Sequence, residues 1–258
     1  MSVIVERHVV AGQQTHSWEQ HSIDGKVHCR RFHFAVSSVS FAFSIMATIK
    51  FKALCLHGYR QDGAAMRAKI GGLRKALKKV EWVFLDAANL ASTSETATDP
   101  STERSWYNNI DNGTGFAYDS AEEPTGFEAS VKAVDDIIAA QGPFDVLISF
   151  SQGACFAQLY LAQKAEQGPL PFKAAIFCAG FIAQAPSLLP LASKELSIPS
   201  LFIHSENDQI IPAAATIAQS KKFSGSATCL HTGGHGFPSA SILKPALVEF
   251  STANGLTA

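Results

Sequence analysis

The chain has 258 residues, 47% of them hydrophobic and 17% charged. That is too apolar for a disordered polymer, and it suits one large domain or two small ones. Lys plus Arg number 21 against 22 Asp plus Glu, a formal net charge of -1, so no broad cationic field exists to gather a phosphate backbone, and nucleic acid is excluded as the main partner. The five cysteines (Cys29, Cys55, Cys155, Cys178, Cys229) are widely spaced and form no C-x-x-C pair. Neither a disulfide framework nor a zinc knuckle is expected, and reduced, cytoplasmic-type usage is the simplest reading.

The first 48 residues stand apart. They hold five of the nine histidines (His8, His16, His21, His28, His33) and show no helical or strand period. None of these histidines has the i, i+4 spacing of a helical metal pair, and no metal is expected there. The segment ends in an apolar, Ser-rich run, Phe32 to Ala47, preceded by Arg30 and Arg31. The run is too short and too polar for a bilayer span of about 20 residues, so no transmembrane segment is expected. It also lies too far from the start for a secretory signal. Residues 25–48 carry no acid, as a mitochondrial-type presequence would not, but Glu6, Glu19 and Asp24 spoil the earlier part. The simplest division makes residues 1–48 a disordered or dispensable extension, with Met46 as the working start, and residues 49–258 the functional domain.

From Lys52 onward strands and helices alternate. Ala53–His57 (ALCLH) reads as a buried strand ending at Gly58. Residues 62–79 read as one amphipathic helix, with Met66, Ile70, Leu73 and Leu77 on one face, Asp62 as N-cap, and Gly71 and Gly72 weakening its regularity. A strand at Glu81–Leu85 leads into a polar loop, the aromatic pair Trp106–Tyr107 and a second loop. A helix at 126–140 and a nearly continuous apolar strand at 144–150 come next. The remaining elements are a helix at 152–167, strands at 173–178 and 200–204, a helix at 212–222, a strand near 227–231, and a closing helix kinked or started at Pro245. This alternation implies an α/β fold: a mostly parallel twisted sheet with helices on both faces.

In such sheets reactive groups collect past the carboxyl ends of the strands. The third strand is followed by SFSQGA, a near match to the G-x-S-x-G nucleophile elbow, with Ser151 at its centre, Gly153 in place and Ser149 where the first glycine belongs. The next-to-last strand is followed by Asp208 in a turn, and the last by His235 between glycines. Ser151, Asp208 and His235 thus occur in the chain order of the α/β-hydrolase triad, each just past a strand. In that arrangement His235 takes the serine proton and Asp208 holds its tautomer. The backbone N–H groups of Gln152 and Tyr59 are the candidate oxyanion donors.

The motifs LCLHGYRQDG, RSWY, SFSQGA, NDQIIP and HTGGHGFP, in this order and spacing, resemble the FSH family of small serine hydrolases, which includes the ovarian-tumour-suppressor-candidate-2-like esterases. The resemblance covers about residues 49–252. It implies an α/β-hydrolase fold, esterase or thioesterase activity and the triad Ser151, Asp208 and His235. Members usually carry glycine where this chain has Ser149. The resemblance also places Trp106 and Tyr107 beside the site, either lining an acyl pocket or anchoring a long loop on the core. Arg60 and Arg104 either orient a polar head group or are surface charges, and Cys155 either meets thiol reagents or packs against the strand. The expected substrate is a small acyl ester or thioester, and the chemistry requires no cofactor. Two alternatives stay open: an acyl-protein or lysophospholipid thioesterase, and a non-catalytic small-ligand-binding protein on a hydrolase fold.

Overall fold

A computed structural model describes residues 18–23, 26–31, 49–91, 103–109 and 118–257, and divides the chain into Met1–Met46 and Ala47–Ala258. In the first unit Trp18–Ile23 and Lys26–Arg31 pair as an antiparallel hairpin, with Trp18 opposite Arg31 and Ile23 opposite Lys26. The apolar run from Phe32, Met46, and most of the polar loop and second loop (92–102 and 110–117) lie outside the described residues.

The second unit is built on six parallel strands: β1 (Lys52–Leu56), β2 (Glu81–Leu85), β3 (Val146–Phe150), β4 (Ala174–Cys178), β5 (Ser200–Ser205) and β6 (Ala227–His231), in the order β6-β5-β4-β3-β1-β2. The inner strands β3, β4 and β5 are buried at every residue, which is why they are mostly apolar, with Ser149, Ser200, His204 and Ser205 as the polar exceptions. The edge strands β2 and β6 keep partial exposure. The chain moves outward from β1 to β2, returns to β3, and then proceeds the other way to β6. The order therefore reverses between β1 and β3, the switch point at whose carboxyl ends such sheets gather their functional groups.

The helices are α1 (Gly63–Lys69), α2 (Gly71–Ala76), α3 (Phe127–Gln141), α4 (Gln152–Ala165), α5 (Leu189–Ala192), α6 (Ala213–Ser220) and α7 (Ala240–Ala253). Asp62 caps α1 through its Oδ1, which accepts from the Ala65 N–H at 2.7 Å. The single helix expected over 62–79 is two. The backbone leaves helical geometry at Ile70 (φ -95°, ψ 19°), directly before Gly71 and Gly72, whose missing side chains give the helix nothing to bury. The closing helix starts at Ala240, not at Pro245. Leu243, Leu247 and Phe250 bury one face through the second turn, and this packing carries the helix past the proline. α4 is buried from Gln152 to Ala162, so the centre of the domain is packed around the helix that follows β3.

Candidate active site

Ser151 links β3 to α4 with φ 53° and ψ -121°, a left-handed conformation that a residue with a Cβ adopts only under constraint. The constraint is visible. The Ser151 N–H donates to the Cys178 carbonyl of β4 at 2.9 Å, and the Ser151 carbonyl accepts from the N–H groups of Ala154 and Cys155 at 2.9 and 3.1 Å. The turn also forces backbones together: a Cβ at Gly153 would stand 2.4 Å from the His57 carbonyl oxygen and 2.9 Å from that of Leu56. Ser149 is fully buried and its hydroxyl donates to the Ile176 carbonyl at 3.1 Å. The crowded position thus accepts a serine because β4 supplies the hydroxyl with a partner.

Asp208 follows β5 and uses its two oxygens separately. Oδ1 accepts from the N–H groups of Ile210 and Ile211, each at 2.9 Å, which fixes the carboxylate in its turn. Oδ2 lies 2.8 Å from His235 Nδ1, and His235 Nε2 lies 3.0 Å from Ser151 Oγ. A carboxylate only accepts, so His235 Nδ1 carries the proton and the serine hydroxyl donates to Nε2. The imidazole also packs on the Phe150 ring, 4.7 Å between centroids. The structure therefore joins Ser151, His235 and Asp208, from three different strand ends, into one hydrogen-bonded line. Ser151 and Asp208 are buried while the histidine edge is partly open.

Gln152 opens α4, where backbone N–H groups have no partner within the helix and the dipole is positive. Its side chain does something the sequence did not suggest: Oε1 accepts from the Trp106 N–H at 3.0 Å and Nε2 donates to the Tyr107 carbonyl at 2.8 Å. The two aromatics then part. Trp106 is fully buried, stacks on Phe156 at 4.9 Å and donates its indole N–H to the His57 carbonyl at 2.8 Å, so it anchors the loop on the core. Tyr107 also borders a small surface cleft whose walls mix apolar side chains (Tyr118, Phe181, Leu188) with polar ones (Asn109, Ser120, Gln184). The Tyr107 hydroxyl donates to Cys155 Sγ at 3.4 Å, and burial pushes the Cys155 thiol up to about 12, which keeps it protonated and packed rather than reactive.

Tyr59 lies in the loop after β1, beside His57. His57 is fully buried; its Nε2 accepts from the Ala87 N–H at 3.0 Å, which leaves the proton on Nδ1 to be donated to the Gly58 carbonyl at 2.7 Å. The Gly58 carbonyl and the Tyr59 N–H belong to one planar trans peptide and point in opposite directions. His57 therefore sets the direction of the amide singled out at Tyr59, a role no sequence pattern announces. Burial lowers the basicity of His57 and favours this neutral ring. The loop is tied further by the Arg60 N–H to the Arg104 carbonyl, 2.9 Å, and by the Arg60 guanidinium on Glu103, 2.5 and 3.1 Å. Among the described residues no group of three or more His, Cys, Asp or Glu gathers to hold a metal ion, and no helix is long and apolar enough to cross a membrane.

A family model described as serine hydrolase (FSH1) matches residues 46–245. Among curated relatives, esterase CG5412 of Drosophila melanogaster is 36% identical over 207 residues, covering 79% of this chain and 74% of its own. Esterase OVCA2 of Danio rerio is 31% identical over 223 residues, covering 80% and 98%. Among solved structures, acyl-protein thioesterase 2 of Zea mays superposes with a TM-score of 0.55 at 18% identity, covering 81% of this chain and 95% of that one, a likeness of fold. With its parallel six-stranded sheet of the α/β-hydrolase type and a family match spanning most of its length, the chain belongs to the serine hydrolase (FSH1) family.

Proposed function

We propose that this serine hydrolase cleaves carboxylic esters or thioesters of lipophilic acyl groups through an acyl-serine intermediate, with Ser151, His235 and Asp208 as its triad. The observation that carries the reading is the line from Asp208 Oδ2 to His235 Nδ1, 2.8 Å, and from His235 Nε2 to Ser151 Oγ, 3.0 Å, starting from a serine held at φ 53°. Ser151 Oγ attacks the acyl carbon as its proton passes to His235 Nε2. Asp208 stabilises the imidazolium that forms. The oxyanion is received by the N–H groups of Gln152 and Tyr59, one at the start of α4 and the other aimed by His57. The C–O or C–S bond breaks and His235 Nε2–H protonates the leaving alcohol or thiol. Water, deprotonated by the same nitrogen, then releases the acid.

The apolar side of the small cleft beside Tyr107, formed by Tyr118, Phe181 and Leu188, is what supports an apolar acyl group. The full hydrogen-bonded line counts against a non-catalytic ligand-binding protein, which has no need of it. We assign the chemistry to residues 49–258 and treat residues 1–48 as an extension, in keeping with a family match that begins at residue 46. Cys55, Cys155, Cys178 and Cys229 are buried and unbridged, which suits a reducing compartment such as the cytosol.

The test is a panel of p-nitrophenyl esters and acyl-CoA thioesters of rising chain length, assayed with wild type and with Ser151→Ala. Turnover by wild type alone is expected, and thioester preference would favour the acyl-protein or lysophospholipid thioesterase reading. A folded wild-type protein that hydrolyses neither series refutes the proposal. The same panel on residues 46–258 is expected to give unchanged kcat/KM; a loss of activity would place residues 1–45 in the working enzyme.

A further inference from the structure

The segment carrying His235 is the least regular part of the site. After β6 ends at His231 the chain runs Thr232-Gly233-Gly234-His235-Gly236, with three glycines and no helix or strand. A glycine-rich loop pays the largest conformational entropy on ordering. Something must therefore hold its histidine within hydrogen-bond reach of Ser151. Several ties exist: Ser205 Oγ donates to the Gly233 carbonyl, Asn207 Nδ2 to the Thr232 carbonyl at 2.8 Å, and Cys178 Sγ to the Gly236 carbonyl at 3.3 Å.

One buried side chain takes hold of the loop at a backbone amide. His231 is buried at the end of β6, and its Nδ1 accepts from the Gly233 N–H at 3.1 Å. An Nδ1 that accepts carries no proton, so the neutral ring has its proton on Nε2. The approach is close: a Cβ at Gly233 would sit 3.0 Å from that Nδ1. Gly233 lies two residues before His235, so this imidazole fixes the loop where it leads into the base, while Cys178 ties it at Gly236.

We propose that His231 is a positioning residue for the hydrolytic reaction: in its Nε2–H tautomer it staples the Gly233 amide, two residues before His235, and thereby sets the His235–Ser151 distance. The inference rests on the assignment of His235 as the base. The titratable groups that act on the ring are His204 on β5 and Asp208 after β5. Burial lowers the basicity of His231, and Asp208 and the Gly236 carbonyl oppose this only in part. Burial likewise lowers that of the neighbouring His204. A neutral ring, as the staple requires, is the result.

Two variants separate positioning from simple filling of space. Asn at 231 places an amide oxygen near the Nδ1 position, where it accepts from Gly233; Leu fills the space and accepts nothing. His231→Leu is expected to lower kcat about 10²-fold with little change in KM, the cost of a base misplaced by about 1 Å. His231→Asn is expected to recover most of that loss. Wild-type kcat in a folded Leu variant, or equal impairment of the two, overturns the proposal. A second measurement does not depend on the Leu variant folding. Nitrogen-15 NMR of histidine-labelled wild type, with the His231 signals assigned by their absence from His231→Asn, should show a neutral ring protonated at Nε2 at pH 7. A charged ring or an Nδ1–H tautomer overturns the staple. Undiminished turnover by Ser151→Ala would instead remove the triad reading and leave the tautomer result standing.

Discussion

Asp208 divides two tasks between two atoms, and the division can be tested. Its Oδ1 satisfies the Ile210 and Ile211 amides while Oδ2 meets His235. Asparagine at 208 can keep an oxygen for the two amides but presents an N–H to His235 Nδ1, which turns the ring to the wrong tautomer. Asp208→Asn is therefore expected to lower kcat by about 10⁴-fold while folding is retained, as urea unfolding would register. Activity within tenfold of wild type would mean that Asp208 only shapes its turn. Chain order was enough to bring Ser151, Asp208 and His235 together on paper, because each stands just past a strand. The roles of His57 and the Gln152 side chain were not legible. They act on backbone atoms of Ala87, Trp106 and Tyr107, far away in the chain, and no local pattern encodes such pairings. Trp106 and Tyr107 were indistinguishable as neighbours; both are buried, yet only Tyr107 also lines the small cleft.

At the scale of elements, the site depends on how closely β1 and α4 approach at the turn. Gly153→Ala would drive a methyl group to 2.4 Å from the His57 carbonyl oxygen and 2.9 Å from that of Leu56. Both contacts are backbone and cannot swing aside, so α4 must shift, and with it the Gln152 amide. A loss of about 1–3 kcal/mol of stability is expected in urea unfolding, together with reduced turnover. An unchanged midpoint with full activity would contradict this account of the turn. The strands and longer helices were readable from periodicity. The break at Ile70 was foreshadowed only by the two glycines after it. The start of α7 was not, because Pro245 is a stronger local signal than the Leu243, Leu247 and Phe250 face that overrides it. The two-residue pairings Asn89–Leu90 with Arg104–Ser105 and Asn108–Asn109 with Pro124–Thr125 are too short to leave a period.

Across the whole molecule, the alternation of strands and helices implied a parallel sheet, but the order that puts the switch point between β1 and β3 emerges only from tertiary packing. The same packing buries His57, His204 and His231, and burial lowers the basicity of all three. Below the ordinary histidine range near 6.5 the unfolded chain then binds protons that the folded protein does not, so stability falls as pH drops through that range and is fully present above it. Each such histidine contributes at most about 1.4 kcal/mol per pH unit. Urea unfolding at pH 7.5 and pH 5.5 is expected to show the lower stability at pH 5.5; equal or greater stability there would refute the neutral buried rings. The central claim is that these strand ends assemble a single nucleophile at Ser151. Reaction with a fluorophosphonate, followed by mass spectrometry of the proteolysed protein, tests it most directly. One adduct on the peptide containing Ser151, absent from Ser151→Ala, is the predicted result. No adduct on folded wild type, or an adduct that persists in Ser151→Ala, would contradict it.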